Sequence, residues 1–398
     1  MSQLSPAEAA VEGLVQRLVQ VEAESIPAPQ AAGRVLSSDL LADRDSPASS
    51  VSAMDGYALR FAELTSGKPC GIFQIAAVVA AGTPAPPLPP GQAIKLFTGA
   101  PVPSEADIVI KREDTSETAS RVTINLAREE ISVGQHIRPQ GENIRCGTTV
   151  LPAGTVLTPQ AMVAVAAFGR KEVHVFRKLK VVVLNTGDEL AEMGDPVAAW
   201  QIRDSNGPFL ESWLANKPWI EFLERRRVAD TLDCVSDQLQ ECCEIADAVI
   251  LTGGVSMGDA DYVPDAIRSL GGEIVFHRLP IRPGKPVLGA HIRGKLLLGL
   301  PGNPVSVGVT ARTIGLPLLE HMAGRVSAEG CELAVVNNPD SMSAELVWFR
   351  LVERDLSGGL RLVESRGSGD LVSLAKSVGF VEFPASQTGA GPWRFYRW

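Results

Sequence analysis

Two carboxylates, Asp259 and Asp261, follow a turn of small residues in the stretch LTGGVSMGDADY, residues 251–262. Thr252, Gly253, Gly254 and Ser256 offer backbone N–H groups and hydroxyls, and glycine permits the left-handed turns that aim successive N–H groups inward. The pattern is that of a phosphate cradle, yet it exits into negative charge. Capping of a following helix would favour each acid by about 0.3–1 kcal/mol and accounts for them if nothing else does. Three further stretches carry comparable chemistry. Asn185-Thr186-Gly187-Asp188-Glu189 holds two adjacent acids where a helix cap needs one. Arg282-Pro283-Gly284-Lys285-Pro286 holds two cations on a proline-stiffened turn, which lowers the entropy lost in ordering them around an anion. In Gly299-Leu300-Pro301-Gly302-Asn303-Pro304-Val305-Ser306, Pro301 and Pro304 fix a strand-to-helix turn, and Asn303 and Ser306 present polar groups at a helix start. Together these stretches suit a phosphorylated or oxyanionic ligand. Clustered carboxylates add a hard divalent cation, and Mg²⁺ fits because it takes few carboxylates and shares substrate phosphates.

Each stretch closes an apolar run, so the elements behind them can be inferred. Strands are expected at 179–184, 248–251, 273–277 and 296–300, with helices near 208–214, 263–270 and 305–322. Alternation of this kind predicts a parallel-type sheet with helices on its faces and ligands at the carboxyl ends of its strands. Residues 45–143 read instead as short β-type runs with proline-rich turns, and β-type runs return from about residue 326. The fold class is therefore multidomain α/β plus β. At the start, Ser5-Pro6-Ala7-Glu8 has the form of a capping box. Val11, Leu14, Val15, Leu18 and Val21 follow as one apolar stripe that needs a partner surface, for which a second subunit is a candidate. Asp55, in Ser52-Ala53-Met54-Asp55-Gly56-Tyr57-Ala58, and Thr98, in a second stiffened turn, complete the set of chemistry-bearing residues.

Composition narrows the classes. The 398 residues are 45% hydrophobic and 21% charged, which suits several packed domains. A net charge of −9 argues against a nucleic-acid surface, and Arg225-Arg226-Arg227 is read as a solvated face. No leader pattern and no apolar stretch of spanning length are apparent, so no membrane role and a cytoplasmic location are expected. The six cysteines form no CxxC pair and are read as reduced core residues, and the five histidines are scattered.

The segments SAMDGYA, LFTGAPVP, NTGDEL, LTGGVSMGDADY, RPGKP and GLPGNPVS occur in one order and spacing. In this the chain resembles MoeA-type molybdopterin molybdenumtransferases, a family that includes the gephyrin E domain. The resemblance implies a homodimer of four-domain subunits. Residues 1–44 and 144–177 would form a discontinuous linking and dimerisation region, and 45–143 a small mainly β domain. Residues 178–325 would form the α/β molybdopterin-binding domain, and 326–398 a C-terminal β-barrel. It implies insertion of molybdate into adenylylated molybdopterin with release of AMP and use of Mg²⁺, the last step of molybdenum cofactor biosynthesis. Transient contact with a molybdopterin adenylyltransferase would follow. Carried over by position, Asp55, Thr98, Glu189, Asp230, Asp259 and Asp261 are the acidic and hydroxyl cleft residues, with Glu189, Asp259 and Asp261 on the metal. Thr186, Gly187, Asp188, Thr252, Gly253, Gly254, Ser256, Pro301, Asn303, Pro304 and Ser306 would contact substrate. Arg282 and Lys285 would hold the oxyanion, and Ser368 would reach the cleft from the C-terminal region.

Three departures from the family pattern stand out. Asn143 replaces a frequent acid, Arg282 replaces a frequent lysine, and Gly207 follows Asn206 where an arginine is frequent. A catalytically weakened scaffold that keeps molybdopterin affinity and an adenylyltransferase-like enzyme are the alternatives. A paralogue handling tungstate is a third.

Overall fold

Strands form where apolar residues run together, as at residues 181–184 in the sheet that carries the candidate turns. The computed structural model describes residues 4–256, 258, 261–326 and 332–398. They divide into two units, one of Met1–Ser38, Pro152–Val163 and Lys171–Trp398, the other of Asp39–Leu151 and Ala164–Arg170.

In the larger unit, helix α1 (Pro6–Val15) begins with the expected capping box: the Ser5 hydroxyl accepts from the Glu8 N–H, and the Glu8 carboxylate accepts from the Ser5 N–H. The helix stops at Val15, although Leu18 and Val21 beyond it are also buried. The stripe needs no second subunit. Ala7, Leu14, Leu18 and Val21 belong to the core of this same unit, with Val11 and Val15 packed against it. That removes the apolar stripe as an argument for dimerisation.

The central sheet is built from β1 (Leu179–Thr186), β2 (Ile220–Val228), β3 (Ala248–Thr252), β4 (Glu273–His277), β6 (Leu288–Ile292) and β7 (Lys295–Leu300); the short strand β5 (Ile281–Arg282) lies outside it. Their spatial order is β2-β1-β3-β7-β6-β4. The first four are mutually parallel, but β6 runs antiparallel to both β7 and β4. The sheet is thus mixed rather than parallel throughout. Helices α2 (Asn206–Ala215), α3 (Leu232–Ile245), α4 (Val263–Ser269), α5 (Pro304–Thr310) and α6 (Leu316–Met322) accompany it, with a π-helical turn at Ala311–Gly315 between the last two. Side chains of alternate β1 residues enter two different cores, Val181 and Val183 on one face and Val182 and Leu184 on the other. Burial on both faces explains the continuous apolar run.

Strand β2 and helix α3 were not expected. Strand β2 contains Arg225-Arg226-Arg227, a face solvated only in part: Arg227 is exposed, whereas Arg225 and Arg226 are half-buried in ion pairs. Arg225 pairs with the buried Asp204 at 2.6 Å and with Glu192 at 3.0 Å, Arg226 pairs with Glu224 and Glu241, each at 2.7 Å, and Arg227 donates to the Leu190 carbonyl. The C-terminal residues form a sheet of β8 (Glu332–Ala334), β9 (Val347–Arg354), β10 (Leu360–Leu362), β11 (Gly379–Phe383) and β12 (Trp393–Arg397). It is ordered β5-β9-β11-β12-β8, with β10 also pairing β9, and just past β8 an isolated bridge joins Val336 to Leu360 of β10.

The smaller unit is mainly β, with a six-stranded sheet ordered Ile108–Lys111, Gly56–Leu59, Gln92–Leu96, Gly71–Val79, Arg121–Ile124 and Thr115–Glu117. Cys70 and Cys242 are buried, but Cys146 and Cys234 are exposed, so the core reading of the cysteines holds only in part; Cys331 lies outside the described residues. No helix among the described residues is long and apolar enough to cross a membrane.

Candidate functional site

The parallel strands deliver their carboxyl ends to one edge. Asn185 is in register with Thr252, Thr252 with Leu300, and Thr186 with Val228, so the turns after β1, β3, β7 and β2 lie side by side. The reversed strand β6 adds a fifth. Leu288 at its start pairs with Gly299 near the end of β7, which brings the preceding Arg282–Pro286 turn to the same edge.

Close approach explains the glycines of the β3 turn. Gly253 and Gly254 have φ of +84° and +61°, and a Cβ on Gly253 would lie 2.6 Å from the Thr186 carbonyl oxygen. Only glycine allows this conformation and this contact together. Asp261 does not cap α4, which starts at Val263. Its carboxylate instead accepts from the Gly258 N–H at 2.5 Å, closing the turn itself. Asp259 lies outside the described residues.

Beside this turn, Asp188, Glu189 and Asp230 crowd together. The Asp230 N–H donates to Asp188 at 3.3 Å, and a Cβ on Gly187 would meet a Glu189 carboxylate oxygen at 2.8 Å. Burial pushes the Asp230 carboxyl above the usual range, and the charges of Asp188 and Glu189 push the same way. No three acidic, histidine or cysteine side chains among the described residues converge as a ready metal cage. Mg²⁺ needs only one or two carboxylates and completes its shell with water and substrate oxygens, so this uncompensated acidic edge fits a shared ion rather than an enclosed one.

Between the Arg282–Pro286 turn, the start of α5 and the C-terminal sheet is a cavity of about 1090 Å³. Arg282, Lys285, Pro301, Asn303, Ser306 and Ser368 all line it. Ser368 is fixed from two sides: its hydroxyl accepts from the Asn303 amide at 3.0 Å, and its carbonyl accepts from the Val305 N–H at 3.1 Å. Pro304 opens α5 and orients both. Sequence reading missed Asp340, Trp348, Arg350 and Arg366 in the same wall. The available signal was the alternation in β9, where Phe349 and Leu351 enter the core while Trp348 and Arg350 take the other face.

In the smaller unit, Asp55 and Thr98 are brought together directly, and the hydrogen bonds from the Thr98 N–H and hydroxyl hold the Asp55 carboxyl below its usual range. Asn143 is held at both ends of its amide, accepting from Arg138 at 2.9 Å and donating to Ser46 at 3.3 Å. At Gly207 a Cβ would collide with the stem of Arg225 and lie 2.7 Å from the Asn185 amide nitrogen. Arg225 thus occupies the room that a larger residue there would need.

Residues 5–169 match the MoeA N-terminal region, domains I and II, and residues 182–321 match a probable molybdopterin binding domain. A molybdopterin molybdenumtransferase of Synechococcus elongatus is 37% identical over 403 residues, covering 95% of each chain. One from Staphylococcus aureus is 32% identical over 391 residues, covering 96% of this chain and 92% of its own. The crystal structure of a molybdopterin biosynthesis MoeA protein from Pyrococcus horikoshii covers 100% of both chains with a TM-score of 0.83 at 26% identity. With such relatives matched over nearly its whole length, the chain belongs to the MoeA family of molybdopterin molybdenumtransferases.

Proposed function

We propose that this chain inserts molybdate into adenylylated molybdopterin and releases AMP, the final step of molybdenum cofactor biosynthesis. The observation that carries this reading is the cavity in which the Arg282 and Lys285 turn faces Ser368 and the start of α5, beside the phosphate-type turn of β3. Arg282 and Lys285 hold the tetrahedral dianion. The turn of residues 252–256 holds phosphate through the Gly254 amide and the Ser256 hydroxyl, the Gly253 N–H being engaged by the Leu300 carbonyl at 3.3 Å, with Asn303 and Ser306 presenting polar groups at the start of α5. Thr186, Gly187 and Asp188 shape the neighbouring turn, while Pro301 and Pro304 stiffen the approach to α5.

Glu189, Asp259 and Asp261 are the residues proposed to hold Mg²⁺, with Asp230 and Asp188 enlarging the acidic edge. When bound, the ion supplies positive charge where the leaving phosphate gains negative charge. The acidic edge would repel that phosphate without it. Asp55, oriented by Thr98, is the further acid assigned to the reaction. The same reading carries a homodimer, a cytoplasmic location and transient contact with a molybdopterin adenylyltransferase as supplier of the substrate. The four-domain division with its linking region and C-terminal barrel belongs to it as well.

Single-turnover release of AMP from adenylylated molybdopterin, with molybdate and Mg²⁺ present, tests the proposal. Release that requires molybdate supports it. Tight binding of the adenylylated substrate with no AMP released makes the chain a scaffold instead, and consumption of ATP makes it an adenylyltransferase.

A further inference from the structure

Arg282 and Trp348 are direct partners across the parallel strands β5 and β9. The register sets the Arg282 guanidinium over the indole, 4.8 Å from the ring centroid. A second guanidinium, that of Arg350, lies 4.5 Å from the same ring. The two arginines differ in what else they touch. Arg350 is gripped by both carboxylate oxygens of Asp340, at 2.8 and 2.6 Å, so its charge is matched. Arg282 is exposed, and among the described residues the Trp348 ring is the contact of its guanidinium.

We propose that Trp348 is a positioning residue for oxyanion binding, holding the Arg282 guanidinium flat against the cavity wall so that its N–H edge stays presented to a tetrahedral dianion. This inference rests on the proposed reading of the cavity as the molybdate site. An exposed arginine samples many rotamers, and ordering it on ligand arrival costs affinity. Stacking spends the face of the guanidinium and leaves its in-plane donors free, so the side chain is ordered without being neutralised. A lysine at position 282 has no plane to stack, so the arginine and the tryptophan are a matched pair. Asp340 keeps the second guanidinium of the ring engaged, so of the two arginines on Trp348 it is Arg282 whose charge is unmatched among the described residues.

The test is calorimetric titration of the full-length protein with molybdate, comparing Trp348→Leu, Trp348→Phe, Arg282→Ala, Arg282→Lys and the double variant Trp348→Leu with Arg282→Ala. Trp348→Leu keeps apolar bulk and removes the ring; it should weaken molybdate binding roughly tenfold, and Trp348→Phe by less than about threefold. In the Arg282→Ala background the same leucine substitution should cause no further loss, and AMP affinity should be unchanged in all variants. Arg282→Lys should lose about as much as Trp348→Leu and become insensitive to Trp348→Phe, a comparison that does not depend on folding of the leucine variant. Independent, multiplying losses in the double variant overturn the proposal, as does an equal fall in AMP affinity. If Arg282→Ala and Lys285→Ala both leave molybdate affinity intact, the cavity reading itself fails and the role of Trp348 with it.

Discussion

Asp55 and Thr98 are joined by two hydrogen bonds to a single carboxylate oxygen, one from the Thr98 N–H at 2.7 Å and one from its hydroxyl at 2.8 Å. Both favour the ionised acid and hold its pKa below the usual range. Thr98→Val removes the hydroxyl and keeps the backbone donor, so the Asp55 pKa should rise toward the ordinary value of about 4. A carboxyl NMR titration reads this directly. Asp55→Asn should lower AMP release by about 100-fold or more if the charge takes part in the reaction. Release at the wild-type rate would remove Asp55 from the mechanism.

The turns after β3 and β7 should respond very differently to alanine in place of a glycine. Gly253 combines φ of +84° with a Cβ position 2.6 Å from the Thr186 carbonyl, whereas a Cβ on Gly302 would meet nothing within 4 Å. Gly253→Ala should therefore cost about 1–3 kcal/mol and impair nucleotide binding, while Gly302→Ala should leave the melting temperature unchanged. Thermal unfolding of the pair checks this.

AMP should bind the β3 turn well only with a divalent cation present, because Asp188, Glu189 and Asp230 line the same edge. Titrations of AMP with Mg²⁺ and with a chelator should differ by about tenfold or more. Asp261→Asn can still accept from the Gly258 N–H, so it should fold normally yet lose most of the Mg²⁺ effect. Equal AMP affinity in chelator and in Mg²⁺ would defeat the shared-ion reading.

Acid should weaken the larger unit through Asp247. Burial opposes its charge, but the paired hydrogen bonds from Arg177, at 2.7 and 2.8 Å, and one from the Lys180 N–H outweigh that and hold its pKa below the usual range. The folded state therefore binds this proton less readily than the unfolded chain. Its stabilisation is complete above the unfolded value near pH 4 and is lost as pH falls through the lower folded value. Asp247→Asn should cost about 1.5–3 kcal/mol at neutral pH, and its stability should fall less steeply below pH 4 than that of the wild type. Denaturant midpoints measured from pH 7 to pH 3 provide the comparison.

Much of the site was legible because turns advertise themselves. The glycines, prolines and paired charges after 184, 251, 282 and 300 mark the ligand edge, since such residues answer local backbone demands. The capping box at Ser5 was equally local. Strand β2 escaped because Glu221, Glu224 and the three arginines gave it a polar surface; their ion pairs, with Asp204, Glu192 and Glu241 among the partners, exist only once the chain is folded. Helix α3 escaped because its cysteines and acids hide the buried Val235, Leu239 and Cys242. The reversal of β6 and the meeting of Trp348 with Arg282 are tertiary facts. Positions 282 and 348 are joined by a strand pairing that neither segment announces alone.

The reversed strand has one more consequence. Because β6 runs against β7 and β4, the segment from Arg278 to Val287 is closed at both ends by antiparallel pairing, with the Arg278 N–H on the Val287 carbonyl and the Leu279 N–H on the Lys285 carbonyl. A loop after a parallel strand is tethered at one side and swings; this one is a stapled hairpin. Its amides at 278 and 279 should exchange with solvent as slowly as those of the sheet, and the two cations it carries reach the ligand edge already at fixed spacing, which is how a surface loop can behave as rigid scaffold.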